Sequence, residues 1–416
     1  MACRRTTTRC RSTSTSSSTT GRSGRPTTTR SPGPSAVRCS RSSQRRQRRR
    51  LPTRGQHGPE APRLRTTAED DCRSAHVAKV FVSGPTGDRR EVRLLSERGF
   101  DVVSGPGVEQ EPKHRFDRDQ WRRHLADADA LWIASRDRLD GGDLGGAPRL
   151  RAVVKASVGV DRVDVAGATA AGVLVVNSPS PQNLTGVAEA AIGLVLAHRK
   201  RLFAAERTLR DGGWKTLEAR GDLLAGATVG LVGFGRVGVA VARRLAAWDV
   251  ELLAADPYQD SARVAKHGAA LVPLEELLSR SDFVSLHVVL NDETRGMIGR
   301  EQLALMKAGA VLVNTSRGGA IDEPALVEAL QDGTLGGAAL DVFDAEPLPL
   351  DSPLRQFPAE RVILTPHTIG NSHASRAAGV RMAVESVAAV LQGTAPEHVL
   401  NPEALPAWRA RFTAPA

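Results

Sequence analysis

The ten residues 229–238, VGLVGFGRVG, decide how this 416-residue chain folds. Thr228–Val232 reads as a strand, Gly233-Phe-Gly235-Arg-Val-Gly238 follows at once, and a helical pattern continues from Arg236 to Ala247. Three glycines spaced G-x-G-x-x-G between a strand and a helix each have a physical task. Gly233 permits the tight turn, Gly235 lets a pyrophosphate approach the backbone, and Gly238 lets helix and strand pack closely. The helix N-terminus offers free amides and a partial positive charge to the phosphates, with Arg236 and Val237 in its first turn. The next strand ends on Asp256, 18 residues after Gly238, where a carboxylate can accept hydrogen bonds from ribose hydroxyls. A carboxylate there repels a 2′-phosphate, and AADPY (254–258) holds no arginine, so the pattern favours NAD over NADP. Arg263, seven residues on, is the nearby cation that weighs against this.

Working outward, strands and helices alternate on both sides of this unit. Upstream, VAKVFVSG (77–84), DALWIAS (129–135), RAVVKAS (151–157) and GVLVVNS (172–178) read as strands, and EVRLLSERGF (91–100) as a helix that Gly99 can end. One long helix is expected from Asn183 to Leu209, with Gly212-Gly213 behind it. Downstream, VELLAADP, DFVSLHVV, AVLVNTS, GGAALDVF and RVILTPH read as further strands, and about 371–392 as an Ala/Val-rich helix. Such alternation predicts parallel α/β sheets.

Composition narrows the class. The chain is 41% hydrophobic and 25% charged, ordinary for a globular protein, and its 4% aromatics leave the core aliphatic. The formal charge of +11 suggests a nucleic-acid partner, but it belongs to one end. Residues 1–65 hold 17 arginines, no lysine and one acid, leaving 40 basic against 45 acidic residues elsewhere. Residues 1–75 form an Arg/Ser/Thr-rich tract without apolar periodicity and are expected to be disordered. The tract is open to three readings: a targeting peptide, a nucleic-acid-binding arm centred on Arg45–Arg50, or upstream sequence translated from a wrongly assigned start, the reading favoured here. All four cysteines precede residue 73, so the body needs no disulfide and no thiolate metal site, and no metal is expected. No apolar run reaches the roughly 18–20 residues that span a bilayer. These features suit a cytoplasmic enzyme.

Reduction of a 2-keto acid by hydride needs a cation to hold the carboxylate and polarise the carbonyl, an acid to protonate the alkoxide, and a partner to orient that acid. Open α/β sheets bind ligands at strand tips. Three residues fall at such tips: Arg317 in VLVNTSRGGAIDE, Glu346 in LDVFDAEP and His367 in VILTPHTIG. Each alone reads as a surface or loop residue; together, after one dinucleotide motif, they form a candidate catalytic set. His287 is a tempting second histidine, but it is expected to pack near the cofactor phosphates.

These motifs resemble those of the D-isomer-specific 2-hydroxyacid dehydrogenases over about residues 77–405. The resemblance rests on VGLVGFGRVG, NTSRGGAIDEPAL, GGAALDVFDAEP and TPHTIG, supported by ASRD (134–137), KASVGVDRVD (155–164) and NSPSPQNLTGVAE (177–189). It implies that Arg317 binds the substrate carboxylate and carbonyl, that His367 is the general acid/base, and that Glu346 hydrogen-bonds the histidine and favours its charged form. It implies cofactor contacts at Arg236, Val237, Val288, Thr315, Ser316, Gly370 and, to the nicotinamide carboxamide, Asp341. Val158 and Gly159 match amides that hold the substrate carboxylate, and Arg136 matches a residue at its distal end. The chain departs from the family at Ser157, where glycine is usual, and at Val289, where proline is usual.

The resemblance also implies a fold of two doubly wound parallel-sheet domains: a flavodoxin-like substrate domain (76–178, rejoined by 367–405) and a Rossmann NAD-binding domain (179–366), followed by a tail (406–416). It implies an NAD-dependent oxidoreductase, paired as a homodimer through the cofactor domain. The Ser135-Arg136 loop and LRDGGWK (209–215) resemble 3-phosphoglycerate dehydrogenases, with glyoxylate or hydroxypyruvate reductase as the alternative. A non-catalytic corepressor-like scaffold on the same fold is a further alternative. Glu346 argues against formate oxidation, for which relatives carry an amide beside the histidine. No regulatory domain is expected beyond residue 405.

Overall fold

The computed structural model describes residues 76–412; the expectations for the arginine-rich tract and for 413–416 lie outside the described residues. Two all-parallel sheets organise the chain. The first uses β1 (Lys79–Val82), β2 (Asp101–Ser104), β3 (Ala130–Trp132), β4 (Ala152–Val154) and β5 (Leu174–Val176) in the order β2-β1-β3-β4-β5. The second uses β6 (Thr228–Val232), β7 (Glu251–Ala255), β8 (Ala270–Leu271), β9 (Phe283–Leu286), β10 (Val311–Asn314), β11 (Gly337–Leu340) and β12 (Val362–Leu364) in the order β12-β11-β10-β9-β6-β7-β8.

Both faces of each sheet are covered, and strand periodicity explains how. In the five-stranded sheet, Val80, Val82, Ala130, Trp132, Leu174 and Val176 enter one core with Val384, Val387 and Trp408. Their strand neighbours Phe81, Leu131, Val153 and Val175 enter the opposite core with Trp121 and Leu125. The seven-stranded sheet divides its side chains between two cores in the same way. Each fully buried aliphatic or aromatic side chain contributes roughly 1.5–3 kcal/mol.

The strand order reverses between β6 and β9 in one sheet and between β1 and β3 in the other, and crevices open at the strand tips where it reverses. The chain leaves the second sheet after β12, and the helix His373–Leu391 packs on the first sheet. Asn401, fully buried, fixes the C-terminal segment to β5: Val175 N donates to its Oδ1 at 2.8 Å, and its Nδ2 donates to Val173 O at 3.0 Å.

The structure differs from expectation in four elements. The helix expected from Asn183 to Leu209 is two, Pro181–Arg199 and Leu202–Arg210, with Arg201 left-handed at φ 49°. The cause is distant: the returning chain crosses the break, where Asp222 N donates to Arg199 O and Gly221 lies against the Lys200 backbone. The short strands β2 and β8 were absent from the sequence reading. The helix after the glycine motif also stops at Leu245, short of Ala247.

Candidate active site

The glycine-rich turn is shaped as its residues dictate. Gly233 has φ 89°, and a Cβ there would lie 2.6 Å from His287 O. A Cβ on Gly238 would collide with Gly233 O, so the glycine seats the helix Arg236–Leu245 against the turn. At Gly235 nothing lies within 4 Å of a Cβ position, which leaves open space over the helix N-terminus. Asp256 braces this turn, accepting from Phe234 N at 2.7 Å and from Tyr258 N at 2.9 Å. Arg236 is exposed, its Nη2 3.4 Å from Pro179 O, and Val237 is half-buried. His287 is enclosed, burial pushes its imidazole down to about 4, and neither ring nitrogen has a partner among the described residues. Its carbonyl lies against Gly233 beneath the turn, and Val288 beside it is half-buried.

An NAD molecule fits this cradle. Besides the open space at Gly235, the buried Thr315 hydroxyl lacks any partner among the described residues. Ser316 is buried and held by Asn314, whose Oδ1 accepts from its amide at 3.0 Å and from its hydroxyl at 2.8 Å. Gly370 lies against the helix Pro181–Arg199, its carbonyl where a Cβ on Gly186 would be.

Three strand tips of the second sheet bring the catalytic candidates together. After β10, Asn314 Nδ2 donates to Arg317 O at 2.9 Å and shapes the turn. Gly318 then lies so close to the Phe343 carbonyl that no side chain fits. After β11, buried Asp341 uses Oδ1 to accept from Thr365 Oγ1 at 2.6 Å, Thr368 N at 3.0 Å and Ile369 N at 3.3 Å. That carboxylate braces the turn after β12, where His367 sits at φ 56°. Glu346 Oε2 is 2.9 Å and Oε1 3.1 Å from His367 Nδ1. Phe343 N fixes the same carboxylate at 3.2 Å. Burial pushes the Glu346 carboxyl up, but the His367 hydrogen bond and charge outweigh it and hold the group below its usual range. With Nδ1 committed to Glu346, Nε2 is the nitrogen left to exchange a proton with a substrate oxygen.

The loop expected to hold the substrate carboxylate follows β4. Val158 is exposed and Gly159 half-buried, and Arg317 lies in the space a Cβ on Gly159 would occupy. Arg136 is the residue expected at the distal end of the substrate. Its guanidinium holds the loop at Pro106, Gly107 and Glu111 through their carbonyls and stands 3.5 Å from Asp137. Sequence reasoning also missed three charged residues of this loop. Lys155, 6% exposed, has its ammonium pulled down to about 8 by burial, with Asp161 opposing the shift and the Arg317 and Arg162 charges adding to it. Asp161 pairs with Arg317, and Arg162 Nη2 is 3.4 Å from Glu346 O. The available signal was a lysine closing the apolar run AVVK at a strand tip. Arg115 joins the same field: burial lowers its pKa, and Arg162 and Arg136 lower it further. No group of three or more His, Cys, Asp or Glu residues placed to hold a metal lies among the described residues.

Residues 192–370 match the family model described as D-isomer specific 2-hydroxyacid dehydrogenase, NAD binding domain. A D-3-phosphoglycerate dehydrogenase of Mycobacterium bovis is 44% identical over 308 residues, 74% of this chain and 54% of that protein. The chain thus spans about half the length of the curated phosphoglycerate dehydrogenases it matches. A glyoxylate reductase of Korarchaeum cryptofilum is 39% identical over 326 residues, 75% of this chain and 95% of that protein. Among solved structures, a Thermus thermophilus protein superposes with a TM-score of 0.69 at 34% identity, covering 77% of this chain and 99% of that one. An NAD-dependent formate dehydrogenase from Staphylococcus aureus, solved in complex with NAD, gives 0.64 at 28% identity, covering 75% and 95%.

Proposed function

Because this chain belongs to the D-isomer specific 2-hydroxyacid dehydrogenase family, we propose that it is an NAD-dependent oxidoreductase acting at C2 of a D-2-hydroxy or 2-keto acid, with 3-phosphoglycerate as its substrate. The observation that carries the reaction class is the 2.9 Å contact between His367 Nδ1 and Glu346, with Arg317 lying against Gly159 across the cleft. Bound NAD supplies the hydride acceptor. Arg317 holds the substrate carboxylate by charge-assisted hydrogen bonds and polarises the C2 oxygen. The Val158 and Gly159 backbone lines the other side of that carboxylate. His367 Nε2 takes the C2 hydroxyl proton in oxidation and returns it in reduction, while Glu346 fixes the ring and offsets the charge it gains.

The choice of 3-phosphoglycerate rests on surplus positive charge. Arg162 adds to the downward shift that burial imposes on both Lys155 and Arg115, so these cations lie close enough to repel, whereas Asp161 is already engaged by Arg317. A substrate with a second anionic group answers that charge; glyoxylate has none. The glyoxylate reductase reading is favoured by the 95% coverage of the Korarchaeum cryptofilum enzyme. NADH absorbance on a panel decides between them. Reduction of NAD with 3-phosphoglycerate at a kcat/KM above that for glyoxylate or hydroxypyruvate reduction supports the proposal; the reverse order selects the alternative. NADH binding without turnover on any member points to a non-catalytic scaffold.

The proposal extends to a homodimer. Leu202, Leu209, Trp214, Leu217 and Leu223 are exposed at 55–73% around the helix Leu202–Arg210, an apolar face suited to a second copy. No described helix is long and apolar enough to cross a membrane, and the cysteine-free body suits the cytoplasm.

A further inference from the structure

We propose that Asp161 is the positioning residue for Arg317: it holds the guanidinium across the cleft so that substrate capture depends on both halves of the site. Arg317 stands at the tip of β10 in the seven-stranded sheet, and Asp161 lies in the loop after β4 of the five-stranded sheet. Their contact is direct, Arg317 Nε to Asp161 Oδ2 at 2.9 Å. On the other side, Arg317 Nη1 donates to Ser316 O at 2.7 Å. A guanidinium is planar and carries five N–H donors in a fixed fork. Anchoring Nε at one end and Nη1 at the other fixes the plane and leaves the Nη2 donors free for a carboxylate. Nη2 lies over Gly159, and Asp161 Oδ2 would be 2.8 Å from a Cβ there. Glycine at 159 is therefore what lets the acid and the arginine meet at the expected carboxylate site.

Electrostatics supports the same role. Asp161 faces two cations, Arg317 from the opposite sheet and Lys155 from its own loop. Burial pushes the Asp161 carboxyl up, but the Arg317 hydrogen bond and charge, its own backbone amide and Lys155 bring it below the usual range. The group is ionised, and without it Lys155 and Arg317 repel one another. An amide at 161 removes the charge that draws Arg317 to the loop while nearly preserving shape.

This inference rests on reading Arg317 as the substrate-carboxylate residue, so the test includes binding as well as turnover. KM and kcat are measured for Asp161→Asn together with the affinity for NADH alone and for oxalate, a two-carbon diacid probe, on the NADH complex. Asp161→Asn is expected to raise KM and weaken oxalate at least tenfold, with NADH affinity within twofold of wild type. In an Arg317→Gln background, Asp161→Asn should cause no further loss. Unchanged KM and oxalate affinity, or an equal loss in both backgrounds, would overturn the proposal. If Asp161→Asn does not fold, Asp161→Glu carries the same test, because it keeps the charge but moves it by one methylene. A tenfold loss that vanishes without Arg317 supports the role, and no loss overturns it. Absence of wild-type turnover on every 2-hydroxy and 2-keto acid would instead defeat the functional reading, while the oxalate titration still judges Asp161.

Discussion

On the seven-stranded side of the cleft, ten consecutive residues form the turn of the cofactor cradle, whereas on the five-stranded side the proposed substrate loop is completed by Arg317, 156 residues further along the chain than Asp161. The cradle is made by backbone: a left-handed Gly233, an open Gly235 and a close-packed Gly238. The substrate loop is made by side-chain charge, with Lys155, Asp161 and Arg162 facing residues from other segments. A site made of backbone is specified by local sequence. One made of converging charges is specified only once the chain has folded.

Four measurements can break or sharpen this contrast. The largest effect belongs to His367. Replacing it with alanine should lower kcat by about 10²–10⁴, the usual range for lost general acid–base catalysis. NADH affinity should hold, because the cradle does not use the imidazole. Loss of NADH binding in that variant would show that the two sides are not separable. The next concerns stability. Trp408 is fully buried in the five-stranded half, so Trp408→Ala should cost about 3–5 kcal/mol in denaturant unfolding. If NADH binding and the structure of both halves are lost in one coincident transition, the halves are one cooperative unit. Third, Asp256→Ala should weaken NAD binding by roughly 1–3 kcal/mol, since its backbone and ribose donors lose their acceptor. The NADP to NAD ratio of kcat/KM should rise; a static ratio would remove Asp256 from cofactor selection.

The smallest effect is a slope. The Lys155 ammonium titrates near pH 8. Its charge is present below that pH and is lost above it, by a factor of ten per unit. KM for 3-phosphoglycerate should therefore climb above pH 8 in wild type and stay flat in Lys155→Arg, because arginine remains charged. Parallel profiles would mean that Lys155 does not meet the substrate.

The same contrast explains what could be read before folding. The glycine motif, Asp256 and the three strand-tip residues carry local signals, and the structure brings Arg317, Glu346 and His367 to one crevice. The break at Lys200-Arg201 had no local signal, because its cause is the passage of Gly221 and Asp222. The carbonyls that hold Arg136 lie 25–30 residues earlier, a contact with no local signal. Lys155 read as the end of a strand because its burial, and the meeting of Asp161, Arg162 and Arg317 around it, arise only on folding. The edge strands β2 and β8 are short, and β8 has only two residues to show a pattern.

The Asp341 brace has a mechanical consequence. Arg317, Glu346 and His367 all hang from adjacent strands β10, β11 and β12, and one buried carboxylate locks the β12 turn to the β11 tip. The proposed proton donor, His367, and the cofactor cradle thus share a single datum. Any rocking of the five-stranded half would displace the far end of a bound substrate but leave His367 in register with the cradle. Positional error is absorbed where a carboxylate can re-seat, and excluded where a few tenths of an ångström would change a rate.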